Sequence, residues 1–218
     1  MTKTNLITGF LGSGKTTSIL HLLAHKPADE KWAVLVNEFG EVGIDGALLA
    51  ESGALLKEIP GGCMCCVNGL PMQVGLNTLL RQGKPDRLLI EPTGLGHPKQ
   101  ILDILTAAVY EPWIDLRATL CILDPRQLLE EKIVTNDNFR DQLAAADVID
   151  ANKADRATPE SRAAFDAWWQ QYAGERLQVS TTQGELDLAL LDLPRRNTAP
   201  LPASPDHVHS HGQKQGLA

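Results

Sequence analysis

The residues Gly9-Phe10-Leu11-Gly12-Ser13-Gly14-Lys15-Thr16 follow an apolar run, Asn5 to Thr8, and open a stretch with helical spacing, Thr16 to Ala24. Few architectures accept a G-x-x-x-x-G-K-[ST] turn between a strand and a helix, because its backbone N–H groups converge on one point at the helix N-terminus. That point suits a phosphate. Gly9, Gly12 and Gly14 let the backbone close around phosphate oxygens, with Ser13 and Thr17 in the same turn. Lys15 supplies a point charge to the outer phosphates, and the Thr16 hydroxyl can ligate Mg2+. The loop alone fits ATP and GTP equally.

The rest of the chain keeps alternating strand and helix. Apolar runs at Trp32 to Val36, Arg87 to Ile90, Ala118 to Leu123, Val148 to Ala151 and Leu177 to Val179 predict strands. Helical spacing predicts helices over Pro71 to Arg81, Pro98 to Val109, Arg140 to Ala146 and Pro159 to Tyr172. The expectation is an α/β fold of the P-loop NTPase type, with a mostly parallel sheet, helices on both faces, and ligands beyond the carboxyl ends of the strands. A chain of 218 residues, 43% of them hydrophobic, suffices for one good-sized core. Past Asp192 come Pro194, Pro200, Pro202 and Pro205, then His207, His209 and His211. Residues 1–191 are expected to form the domain and 192–218 a linker or tail.

The base is read from Asn152-Lys153-Ala154-Asp155, which follows the run Val148 to Ala151. An Asp carboxylate can accept both the ring N–H and the exocyclic amino protons of guanine, a pair of donors that adenine lacks. Asp155 has that role here, the Lys153 stem covers the base plane, and Val179-Ser180-Thr181 is the candidate for a backbone contact, with Ser180 at its centre. Together with the loop upstream, this points to GTP. Between the two motifs, Glu91-Pro92-Thr93-Gly94 ends the strand Arg87 to Ile90. Glu91 can hold a Mg2+-bound water, and the Gly94 N–H can meet the γ-phosphate and lose it on hydrolysis, which would make this segment a switch. Asn37 to Asp45 is the candidate for a first switch. Lys15, Thr16 and Glu91 form the expected catalytic set, with no glutamine close after Gly94, so intrinsic hydrolysis should be slow.

Three of the four cysteines, Cys63, Cys65 and Cys66, lie in the loop Pro60-Gly61-Gly62-Cys63-Met64-Cys65-Cys66. Thiols this close are poorly placed to cross-link distant segments; as thiolates they suit Zn2+ or Cu+. Three local sulfurs leave a position for a fourth donor, for which Glu38 is the candidate, while packing or redox cysteines stay as alternatives. His207, His209 and His211 can add imidazole donors. Cys121, inside an apolar run, reads as core; His21, His25 and His97 and the four tryptophans read as structural.

A formal charge of −7 argues against a nucleic-acid or anionic-membrane surface. No apolar run reaches the roughly 18 to 20 residues of a membrane span. The start lacks the layout of a secretory signal, so a cytoplasmic protein is expected.

The segments GFLGSGKTT, NEFGEVGID, GGCMCC, EPTGLG and NKAD, in this order, resemble the GTPase domain of the CobW-like metal-chaperone GTPases over about the first 200 residues. The resemblance implies a GTPase of the same broad class as the nickel-insertion GTPases of hydrogenase and urease, cycling GTP to GDP and phosphate at a slow rate tuned by metal. It implies that Cys63, Cys65 and Cys66 form the metal site and that zinc is the ion. It also implies a metal-requiring client protein of unknown identity, and leaves homo-oligomer formation open. Family members carry a second domain after a His-containing linker; this sequence ends at Ala218, so that domain is expected to be absent. Two rival functions are a P-loop ATPase or kinase, for which N-K-x-D and clustered thiols have no use, and a non-catalytic zinc buffer indifferent to the nucleotide state.

Overall fold

The computed structural model describes residues 1–37, 54–59, 70–92 and 97–196. Eight strands are present among them: β1 (Thr2–Gly9), β2 (Trp32–Asn37), β3 (Leu55–Ile59), β4 (Arg87–Glu91), β5 (Ile114–Leu116), β6 (Leu120–Leu123), β7 (Val148–Ala151) and β8 (Leu177–Ser180). The helices are α1 (Lys15–Ala24), α2 (Leu70–Thr78), α3 (Pro98–Leu105), α4 (Glu131–Val134), α5 (Asp137–Ala145) and α6 (Pro159–Tyr172). No helix among the described residues is long and apolar enough to cross a membrane.

The sheet runs β3-β2-β4-β1-β6-β7-β8, with β5 also paired to β1, and every strand pair in it is parallel. Parallel strands need crossovers, and these place helices on both faces. Side-chain alternation along each strand then divides the core. Leu6, Leu35, Leu88 and Ile90 pack with Met72, Leu76 and Ile101 from α2 and α3. Ile7, Val34, Leu89, Ile122 and Val148 pack with Ile19 and Leu22 from α1, and with Leu186 and Leu191. A third cluster joins Cys121, Leu123 and Ile149 to Phe139 and Leu143 of α5 and Phe165 of α6. Cys121 is buried there, as expected of a core residue, and burial pushes its thiol up to about 11.

β1 and β4 lie in the middle, beside the point where the strand order reverses, and that is where a parallel sheet opens a crevice at its carboxyl edge. The loop that follows β1 therefore faces the loops that follow β4, β6 and β7.

Several boundaries differ from expectation. Leu55–Ile59 and Ile114–Leu116 are strands that the periodicity does not announce: β3 mixes Lys57 and Glu58 with its apolar residues, and β5 is three residues long. The helix expected to start at Arg140 starts at Asp137, because the Asn136 side chain accepts from the N–H groups of Asn138 and Phe139. α3 stops at Leu105, and the expected continuation to Val109 is broken by a 3-10 turn, Ala108–Tyr110. α2 passes into a wider π turn, Leu79–Gly83. The packed chain also runs past the expected domain boundary at 191. Asp192 pairs with Arg87 and Lys3, and the backbone N–H of Arg196 donates to Asp147 at 2.9 Å, so residues 192–196 are tied to the domain.

Candidate functional site

The turn after β1 enters α1 through Gly14, whose φ of 96° is a left-handed conformation that glycine tolerates. A Cβ at Gly14 would lie 2.4 Å from Asn152 Nδ2, so the position has no room for a side chain. Lys15 is fully buried under the turn. Its Nζ donates to the carbonyls of Gly9 (3.3 Å) and Pro92 (3.2 Å) and pairs with Glu91 at 2.8 Å. Both charges are out of solvent, with side chains 0% and 1% exposed, so their pairing offsets part of the cost of burying each. Two hydroxyl oxygens in the turn, Ser13 Oγ and Thr16 Oγ1, are buried with no hydrogen-bond partner among the described residues. Thr17 is exposed on the first turn of α1.

The turn after β7 closes over this loop. Asn152 Nδ2 donates to the Ser13 carbonyl at 3.0 Å, and Lys153 Nζ donates to the Gly12 carbonyl at 2.7 Å. Lys153 takes a left-handed backbone (φ 57°), which is uncommon for a residue with a side chain and turns its stem back toward Gly12. Asp155 follows in an exposed 3-10 turn, Ala154–Arg156, within electrostatic reach of the Arg126 guanidinium. Ser180 ends β8 opposite Ala151, and the Ala154 N–H donates to the Thr181 carbonyl at 3.0 Å, which sets the turn carrying Asp155 beside the end of β8.

The structure thus brings together Gly9, Gly12, Ser13, Gly14, Lys15, Thr16 and Thr17 with Glu91, Asn152, Lys153, Asp155 and Ser180. Glu38, Cys63, Cys65, Cys66, Gly94 and the histidines 207, 209 and 211 lie outside the described residues. Among the described residues no group of three or more metal-binding side chains occurs. His97 sits within 3.6 Å of Asp141, with both half exposed.

The sequence reading missed three supports. Gln127 Nε2 donates to the Leu11 carbonyl at 2.9 Å and braces the phosphate-type loop. The spacing Asp124-Pro125-x-Gln127 was a usable signal, since it forms a capping box at the turn after β6. The Thr181 hydroxyl and the Gly184 N–H both contact Asn152 Oδ1, at 3.0 and 3.1 Å, and no local pattern marks either.

A glycine turn with a buried lysine, braced by an Asn-Lys turn from two strands away, defines a nucleotide-type crevice. Residues 3–179 match the CobW/HypB/UreG nucleotide-binding domain. The chain belongs to this family. This CobW-family chain is 79% identical, over all 218 residues, to the zinc chaperone YeiR of Escherichia coli strain K12, and spans 66% of that protein's length. It is 32% identical, over 85% of its residues, to the zinc chaperone CobW of Pseudomonas aeruginosa, of which the match covers 58%. Among solved structures, the Zn(II)-bound YjiA GTPase from E. coli superposes with a TM-score of 0.65 at 24% identity, covering 95% of this chain and 68% of that one. HypB from Helicobacter pylori in complex with nickel gives 0.58 at 17% identity, covering 87% and 82%. These two similarities show that the CobW-family chain shares the fold of those proteins.

Proposed function

We propose that the chain binds GTP in this crevice, hydrolyses it slowly to GDP and phosphate, and couples that cycle to the binding and release of zinc for a client protein. The observation that carries the reading is the pair of hydrogen bonds from Asn152 and Lys153 to the carbonyls of Ser13 and Gly12. They make the base-reading turn and the phosphate loop one rigid site, so that one nucleotide spans both.

In this reading the N–H groups of Gly12, Ser13, Gly14, Lys15, Thr16 and Thr17 cradle the phosphates at the start of α1. Asp155 accepts from the guanine edge, with Ser180 supplying a backbone contact. The partnerless Thr16 Oγ1 fits a Mg2+ ligand, because a buried hydroxyl without an acceptor or donor is costly unless something fills the position. Mg2+ at that place would neutralise charge on the β- and γ-phosphates. Lys15 donates to the carbonyls of Gly9 and Pro92 and is ion-paired with Glu91. An entering phosphate takes over part of that positive charge, which releases Glu91 to orient water near the phosphates. Gly94, three residues beyond, would follow the γ-phosphate.

Zinc is proposed as cargo on Cys63, Cys65 and Cys66, with Glu38 as the fourth donor. The support is the soft donor set in the sequence and the names of the relatives, both zinc chaperones. Because the thiolates lie between the two switch segments in the sequence, nucleotide and zinc would be linked ligands, each tightening the other by the same factor. A Zn2+ titration of the reduced protein against a chromophoric chelator, in GDP and in a non-hydrolysable GTP analogue, tests the coupling. Tighter zinc with the analogue is expected; equal affinity in the two states would leave a GTPase with an unlinked metal site.

A further inference from the structure

Asp150 is the penultimate residue of β7, fully buried and two residues before Asn152. Its hydrogen-bond partner among the described residues is the Thr181 hydroxyl, whose oxygen lies 2.8 and 2.7 Å from the two carboxyl oxygens. The same hydroxyl lies 3.0 Å from Asn152 Oδ1. One hydroxyl hydrogen therefore faces three oxygens, and it can serve only one neighbour well.

The orientation of Asn152 narrows the choice. Its Nδ2 faces the Ser13 carbonyl at 3.0 Å and its Oδ1 faces the Gly184 N–H at 3.1 Å. Flipping the amide would set oxygen against oxygen on one side and hydrogen against hydrogen on the other. Asn152 Oδ1 is thus an acceptor on both contacts. The one Thr181 hydrogen, given to Asp150, leaves Asn152 Oδ1 facing a lone pair at 3.0 Å; given to Asn152, it leaves Asp150 to supply a hydrogen of its own, which a carboxylic acid has and a carboxylate lacks. Asp150 is fully buried with no ion pair among the described residues, which favours the form that carries that hydrogen.

We propose that Asp150 is held as a neutral carboxylic acid that donates a hydrogen bond to the Thr181 hydroxyl, so that the chain Asp150–Thr181–Asn152 positions the phosphate loop at Ser13. Asp150 and Thr181 are positioning residues, since neither touches the nucleotide. The surroundings agree. Burial pushes the Asp150 carboxyl up to about 7. Of the titratable groups on the packed elements, Cys121 on β6 is itself neutral, Lys15 on α1 pairs with Glu91, and Arg176 before β8 donates to the carbonyls of Leu143, Tyr172 and Ala144. Gly184 seals the turn from the other side. Its φ is 70°, and a Cβ there would lie 2.7 Å from the Ser18 backbone nitrogen.

The consequence for pH has two windows. A folded-state value above the unfolded one of about 4 means that the native state holds more protons between those limits. Stability therefore falls as pH rises from about 4 to about 7 and then levels. Nucleotide affinity, a property of the folded state, falls as pH rises through about 7, where the acid ionises and Thr181 turns its hydrogen away from Asn152.

This inference rests on the crevice reading only for its ligand. The primary measurement needs none: carbon-13 NMR of the Asp150 carboxyl across pH, assigned by loss of the signal in Asp150→Asn. Titration near 7 is expected, whereas titration below about 5 overturns the proposal. Thermal unfolding of Asp150→Asn, which keeps an N–H donor toward Thr181, should lose the fall in stability between about pH 4 and 7. GDP affinity of the unaltered chain should drop about fivefold from about pH 6 to about pH 8.5, Asp150→Asn should hold the low-pH value throughout, and Thr181→Val should bind weakly at both. An Asp150→Asn variant with the unaltered chain's pH curves overturns the assignment. A carboxyl that titrates near 7 in a protein that binds no GDP upholds the neutral acid and refutes the guanine-nucleotide reading instead.

Discussion

β4 carries a buried charge at each end, and the two are treated differently. At its start, Arg87 is 3% exposed and donates to Asn5 Oδ1 (2.6 Å), to the Leu191 carbonyl (3.2 Å) and to the half-exposed carboxylate of Asp192, with its guanidinium 5.5 Å from the centre of the Trp32 ring. At its end, Glu91 meets Lys15 with neither in contact with water. The first cluster joins strand to strand and strand to the departing chain, and its partners are spread over three segments. The second joins Lys15 to Glu91 and to the carbonyls of Gly9 and Pro92. Arg87, held by two neutral acceptors and the ring face as well as by a carboxylate, has no reason to move, whereas Lys15, whose one ion pair among the described residues is with Glu91, can exchange that partner for another anion. A phosphate is such an anion. The lower end of the sheet is built to stay, and the upper end to be exchanged.

If that contrast holds, changes at the upper end move ligand binding and changes at the lower end move stability. The largest effect is expected for Lys15→Ala. GTP turnover should fall by at least about 10²-fold, and removing the buried cation that faces Glu91 should cost about 3–5 kcal/mol in urea unfolding. A variant that still hydrolyses GTP at the normal rate would remove the loop from the mechanism. Arg87→Met should cost about 2–3 kcal/mol, through the acceptors stranded at Asn5 and Leu191, with GDP affinity unchanged. A loss of affinity in that variant would erase the distinction between the two ends. Asp155→Asn should leave stability alone and shift preference from GTP toward xanthosine triphosphate by about 10²-fold in competition binding; unchanged preference would dismiss Asp155 as the base reader.

The smallest effect belongs to Asp192. Burial alone would raise its carboxyl, but the hydrogen bond and charge of Arg87, with Lys3, hold it below the usual range. A depressed carboxyl contributes stability above its unfolded value of about 4, lost as pH falls through the folded one. Asp192→Asn should therefore shorten the acid limb of the unfolding curve and cost about 0.5 kcal/mol near neutrality, since the group is half exposed.

How far the sequence reaches depends on whether a feature is local. Gly9 to Thr16 is legible because each of its requirements sits within one turn, and α6 is read correctly from Pro159 to Tyr172 because Thr158 and Ser161 form a capping box three residues apart. β3 escapes because an edge strand has one neighbour and weak patterning, and the start of α5 escapes because Asn136 precedes polar residues, Asp137 and Asn138, where an apolar rhythm is not yet visible. Asp192 to Arg196 reads as tail, with two prolines' worth of linker character nearby, yet it is held by Arg87 and Asp147, over a hundred and almost fifty residues away. Nothing in the local composition marks those partners.

By itself the sequence determined that a glycine-rich turn ending in Lys-Thr would follow a strand, that an Asn-Lys-x-Asp turn would follow another, and that helices and parallel strands would alternate. Those are properties of spacing, and spacing is written along one segment. The tertiary structure decided that Lys15 pairs with Glu91, that Asn152 and Lys153 grip the loop, and that Asp150, unremarkable in the run Val-Ile-Asp-Ala, lies dry beneath Thr181. Desolvation and hydrogen-bond direction depend on what surrounds a group in three dimensions, and that surrounding is assembled from strands that the chain order keeps apart.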